Sequence, residues 1–158
     1  MYSKPNELRL HSLNSIKPGT LLQLAGRADD IPYAIKLQGT EGNESRVLLI
    51  GGDYSFEDAN WKDGVQLATI VCDADKLLVK LGSIDEQNSH ANPGSILLHD
   101  GGAVFNAKRD KRYHAPIDLA TWDNAAKDRP REPAVLYSTW TLGYLNEKSD
   151  FVAVFTKE

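Results

Sequence analysis

The chain has 158 residues, is 41% hydrophobic and 25% charged, and carries a net charge of −4. This is the balance of a single globular domain, residues 1–158, large enough to bury a core and too apolar to be disordered over most of its length. It excludes a surface built throughout for nucleic acid, and no apolar run comes near the roughly 18 to 20 residues that span a bilayer.

The opening stretch, Met1 to Glu7, lacks the apolar centre of a secretory signal, so a cytoplasmic setting without membrane contact is expected. Nine short apolar runs follow: Thr20–Leu24, Tyr33–Gln38, Arg46–Ile50, Val65–Val71, Lys76–Leu81, Ser95–His99, Ala103–Ala107, Ala134–Leu145 and Phe151–Thr156. Turn signals such as Pro18-Gly19, Gly51-Gly52, Asp63-Gly64, Pro93-Gly94 and Asp100-Gly101-Gly102 separate them. Runs of this length at this spacing predict an all-β fold, a barrel or two-sheet sandwich of about nine strands.

Two connections exceed what a hairpin needs. In the first, residues 51–64, Ser55 ahead of Glu57 and Asp58 predicts one short helical turn. Cys72 then closes an apolar run beside Asp73, a carboxylate that raises rather than lowers a nearby thiol pKa, and it reads as a buried structural residue. As the only cysteine it allows no internal disulfide and no multi-cysteine zinc site. The second connection, residues 108–133, is the longest strand-free stretch. Asp118 suits the N-cap of a helix from Leu119 to about Lys127, with Ile117 and Trp122 placed to close a hydrophobic staple. Pro130 and Pro133 end it, because proline removes an amide and disfavours a helical predecessor. The run Ala134–Leu145 is apolar or aromatic on both faces, which predicts a central strand with Trp140 in the core.

Charge is spread unevenly. Residues 108–131 hold seven cations and four aspartates, a net of +3, so the other 134 residues sum to −7. The long connections therefore supply the candidate binding face: Phe56, Trp61, Arg109, Lys111, Arg112, Tyr113 and His114, with aromatics and arginines as anchors. The leading reading is a non-enzymatic binding or assembly module that takes a macromolecular partner there, a protein ahead of nucleic acid. Nucleic acid would use the basic loop 108–131, with cations on phosphates and Tyr113 stacked on a base. A symmetric dimer accounts for exposed apolar residues as readily as a hetero-partner does.

The alternative is an enzyme with a small-ligand pocket at the barrel mouth, drawing on His99, Asp100, His114 and Asp118. It requires His99 and His114 to be close in space. No cofactor or metal is expected, since no HExxH, no histidine pair on a strand face, and no glycine-rich phosphate loop is present. Val47 to Asp53 looks like a strand and turn of a nucleotide-binding unit, but no helix signal follows to offer its N-terminus to phosphate.

Overall fold

The computed structural model describes residues 9–26, 33–39, 42, 44–52, 55–85, 92–109, 113–125 and 134–158. Thirteen strands are present among them: β1 (His11–Ser12), β2 (Leu21–Leu24), β3 (Tyr33–Lys36), β4 (Glu44–Ile50), β5 (Asp58–Lys62), β6 (Leu67–Cys72), β7 (Leu77–Leu81), β8 (Ile96–His99), β9 (Gly102–Arg109), β10 (Tyr113–Asp118), β11 (Val135–Tyr137), β12 (Trp140–Leu145) and β13 (Phe151–Lys157). They form three antiparallel sheets, ordered β1-β6-β2-β3-β4-β5, β10-β9-β8-β11 and β13-β12-β7. The protein is all-β and sandwich-like, and no sheet closes into a barrel.

Strand alternation explains the layering. In β4, Leu48 and Ile50 point to one side of the six-stranded sheet, and Val47 and Leu49 to the other. Both sides are buried. The first side meets Ile96, Phe105, Ile117, Trp140, Leu142 and Tyr144 from the two smaller sheets, forming the main core. The second side, with Leu22, Ala34 and Ala68, is covered by Leu13 and Ile16 around the short 3₁₀ turn Leu13–Ser15. A strand buried on both sides reads as a continuous apolar run, which is why Val47 to Ile50 lacks any polar interruption.

Phe56 joins two of the sheets. Its amide donates to Leu49 O at 2.7 Å, and its carbonyl accepts from the Lys108 amide at 2.9 Å. Its ring stands 5.8 to 6.1 Å from those of Phe105, Trp140 and Phe155. Edge-on and tilted contacts of this kind suit the aromatic quadrupole. The two smaller sheets run into each other through the segment after β7. There Gly82 donates to Thr139 O, Ser138 donates to Ser83 O, and Ile84 bridges Tyr137.

Several expectations need correction. The helical turn expected near Ser55 is absent over its described residues: Ser55 Oγ donates to Gly52 O, Ser55 and Phe56 lie in a turn, and β5, which pairs with β4, follows. Pairing to a buried neighbour outweighs local cap signals in so short a segment. The helix expected at 118–127 is absent over its described residues. Asp118 does cap amides, accepting from Ala120 and Thr121, but Trp122 takes φ +59° and Asp118 N bonds Asp123 O, so the chain reverses after one turn. Residues 126–133 lie outside the described residues. The expected strand count of nine misses β1, β5 and β10. The long run Ala134–Leu145 is broken at Ser138 and Thr139, and its second half, β12, is the central strand of its sheet as expected.

Candidate functional site

The residues expected to form one binding face are brought together only in part: Arg109, Tyr113 and His114 are neighbours where β9 meets β10, and Phe56 and Trp61 are apart. Phe56 sits against the main core, whereas Trp61, on β5, packs on the opposite side of the six-stranded sheet. Arg109 ends β9 on the side it shares with Ala103, Phe105 and Ala107, and its side chain stays half-exposed. Tyr113 opens β10 opposite Arg109, and the exposed His114 lies opposite Lys108. Lys111 and Arg112 lie outside the described residues.

Arg109 instead completes a buried ionic cluster. Asp58 Oδ2 accepts from Arg46 Nη2 at 2.6 Å and from Arg109 Nη2 at 2.9 Å, and Asp58 Oδ1 accepts from Arg46 Nε at 3.2 Å. The Arg46 and Asp58 side chains are each 3% exposed, against 47% for Arg109. Arg46 also donates to Gln38 O and to Asn124 Oδ1, and its Nη1 stands 3.7 Å from Asp123 Oδ1. One guanidinium thus ties β4 and β5 to the 118–124 turn, and Asp58 ties both to β9. Among the described residues no buried side-chain polar atom lacks a hydrogen bond. A buried pair satisfied in this way holds sheets together.

Across the same sheet, burial holds the Lys36 amine below its ordinary pKa, with Asp63 pulling the other way and Arg46 adding to the drop. Its Nζ donates to Leu37 O at 3.2 Å. Cys72 is buried and free, and burial, with Asp73 beside it, pushes its thiol up to about 11. A thiol so placed is a poor nucleophile at neutral pH.

The residues of the enzyme reading are dispersed. His99 lies opposite Gly102 and His114 opposite Lys108, at the two ends of β9, so roughly 20 Å of strand separates them. His99 Nδ1 accepts from the Gly101 amide, and Asp118 is occupied by its turn. No group of three His, Cys, Asp or Glu side chains among the described residues is placed to hold a metal ion. The interior holds an apolar void of about 20 Å³, between Ile35, Phe105, Trp122 and Trp140 and bordered by Val79. That is room for about one water molecule, which an apolar void does not hold. An open groove of about 360 Å³ runs along Lys80, Gly82, Thr139, Thr141 and Lys157, but Lys157 Nζ is bonded to Ser138 O.

Exposed apolar side chains are concentrated elsewhere. Of nine large ones among the described residues, seven lie on the three-stranded sheet and the segments joined to it: Leu78, Val79, Leu81, Ile84, Val135, Leu145 and Phe151. Leu78 stands opposite Gly143, which stands opposite Ala153, and Leu145 stands opposite Phe151. The Phe151 ring lies over Gly143, where a Cβ would come within 2.5 Å of it. Leu78, Leu145 and Phe151 thus share the outer face of the three-stranded sheet, whereas Val79 and Leu81 lie on its core-facing side at the open edge of β7. Composition could not locate this surface, because Leu77–Leu81 reads as a strand whether or not another strand covers its side.

Comparison with family models, curated proteins and solved structures finds no match to this chain. No helix among the described residues is long and apolar enough to cross a membrane.

Proposed function

We propose that this chain is a non-enzymatic binding or assembly module whose macromolecular partner is a protein, docked on the three-stranded sheet rather than on the two long connections. One observation carries the reading: of the nine exposed large apolar side chains among the described residues, five are on this sheet and two more on the segments joined to it. Exposed apolar side chains gathered in this way mark surfaces where proteins associate. Two further features support a non-enzymatic role. The candidate catalytic histidines sit at opposite ends of β9, and Arg109 is bound to a buried aspartate. The lone cysteine is compatible with the reducing interior of a cell, and a cytoplasmic setting is part of the proposal.

Site-specific photo-crosslinking tests it. A photoreactive residue replaces Phe151 in one preparation and Asn60, exposed on the edge of the six-stranded sheet, in another. A discrete protein adduct from position 151 and none from position 60 is expected in cells that make the protein. Equal labelling from both positions, or none from either, would sink the proposal.

A further inference from the structure

Among the described residues β7 pairs with β12 alone, and it is the sheet edge with the most exposed large apolar side chains. Natural sheets blunt their edges by shortness, charge, proline or a bulge. Here β1 is two residues long, β10 carries Pro116, β5 alternates exposed Asn60 and Lys62, and β13 bulges where its register with β12 shifts between Leu142 and Gly143. By contrast, β7 reads Leu-Leu-Val-Lys-Leu in unbroken register, with Leu78 41% exposed and Val79 and Leu81 37% exposed. Val79 and Leu81 share the core-facing side of the strand with Leu77, yet stay open to solvent because no strand flanks them.

We infer that β7 pairs antiparallel with β7 of a second copy, about a two-fold axis through Val79. The inference rests on the docking surface proposed above and names its occupant. Backbone direction selects the residues. The Gly82 amide donates to Thr139 O, and Leu81 stands opposite Trp140. In an antiparallel ladder this turns the backbone polar groups of Leu78, Lys80 and Gly82 toward β12, and those of Leu77, Val79 and Leu81 toward the open side.

Those three residues form a palindrome about Val79. Pairing Val79 with its own copy sets Leu77 against Leu81, three pairs that join all the outward-turned backbone groups. On the outer face it sets Leu78 against Lys80. No like charges are opposed.

Neighbouring registers fail on charge or on backbone direction. Centring on Lys80 opposes two lysines, and centring on Leu78 opposes Lys76 to Lys80. Centring on Leu81 brings Val79 against Ser83, whose carbonyl already accepts from the Ser138 amide. Centring on Leu77 brings Val79 against Asp75, which lies in a 3₁₀ turn. A slip by one residue would reverse every side chain. Only one register remains, and it merges two three-stranded sheets into one of six strands. So short a seam falls below the roughly 800 Å² per partner of a stable complex, so the dimer is a weak, concentration-dependent one.

Sedimentation velocity on the full chain, from about 5 to 500 µM, reads the equilibrium between 17.5 kDa and twice that mass. Two substitutions at one exposed site give the decisive comparison. Leu78→Lys places two lysine pairs across the axis and should weaken association at least tenfold. Leu78→Glu places two Glu–Lys pairs there and should keep or tighten it. Circular dichroism confirms that each variant folds, and Val65→Lys, at an exposed site outside both the seam and the docking surface, should leave association unchanged. A native chain that stays monomeric throughout overturns the inference. So does a dimer that both Leu78 variants weaken alike or leave intact, and so does one that Val65→Lys dissociates. If the native chain is monomeric while position 151 still captures another protein, self-pairing fails and the docking surface stands.

Discussion

Replacing Asp58 by alanine should be among the most damaging single changes to this fold. The carboxylate is 3% exposed and is the anion for two arginines, at 2.6 and 2.9 Å. Its removal leaves the Arg46 guanidinium buried, with only the exposed Asp123 carboxylate 3.7 Å away. Breaking a buried pair from one side costs about 3 to 5 kcal/mol, because the remaining charge stays desolvated and uncompensated. Against a typical total of about 5 to 15 kcal/mol, that is a large part of the stability, equivalent to a fall in Tm of about 10 °C or more. Arg109→Ala removes the half-exposed partner and should cost only about 1 kcal/mol, since water replaces much of what it supplied. The assay is urea unfolding followed by tryptophan fluorescence, with Arg46→Met/Asp58→Leu as the paired replacement. The double variant should recover most of what Asp58→Ala loses. If Asp58→Ala costs no more than Arg109→Ala, the cluster is not the fastening described here.

Three smaller tests follow from other buried features. The Cys72 thiol should resist a water-soluble disulfide reagent in the folded chain at pH 8 and react only as the protein unfolds in urea. Its folded pKa of about 11 exceeds the ordinary value of 9.0. The stability linked to it is therefore intact below pH 9 and lost as pH rises through 11, a dependence that Cys72→Ala should remove. Lys36→Met should stabilise the protein slightly at neutral pH. The folded amine has a lowered pKa, so its charged form is disfavoured by folding; the variant's advantage should shrink as pH rises through the folded value toward 10.5. Gly94→Ala should destabilise by about 1 to 3 kcal/mol in thermal melts, because Gly94 has φ +90° and a Cβ there would lie 2.6 Å from the Phe56 ring.

Much of the strand pattern was legible because β4, β6, β8 and β9 carry their apolar residues in runs too short for a helix and closed by glycine or aspartate. The strands that were missed have a common cause. β5, with Asp58, Asn60 and Lys62, and β10, with Tyr113, His114 and Asp118, are edge strands, and their polar residues read as loop. Asp58 is the instructive case: in sequence it looks like a first-turn acid, and only the chain's return through β9 shows it to be the buried anion between Arg46 and Arg109. Asp118 gave a correct local signal with a wrong extension, since its cap bonds form but Trp122 turns the chain back.

Phe56 and Arg109, two residues of the expected binding face, have structural roles that also explain where the exposed apolar surface is. Aromatics and arginines were read as surface anchors, yet in a sandwich of short strands they do the work of joining sheets: Phe56 bridges two ladders, and Arg109 closes on Asp58. With these residues engaged in joining sheets, plain aliphatic residues are left at the β7 edge, which no strand covers among the described residues. Leu77, Val79 and Leu81 are ordinary core residues by type, and they line the core side of their sheet. Each loses its apolar contacts on one flank because the sheet ends there. An added strand supplies those contacts and the missing backbone partners together, which a loop packed over the edge would not do for all three residues. The open edge of β7 is thus the feature on which the proposed self-pairing rests.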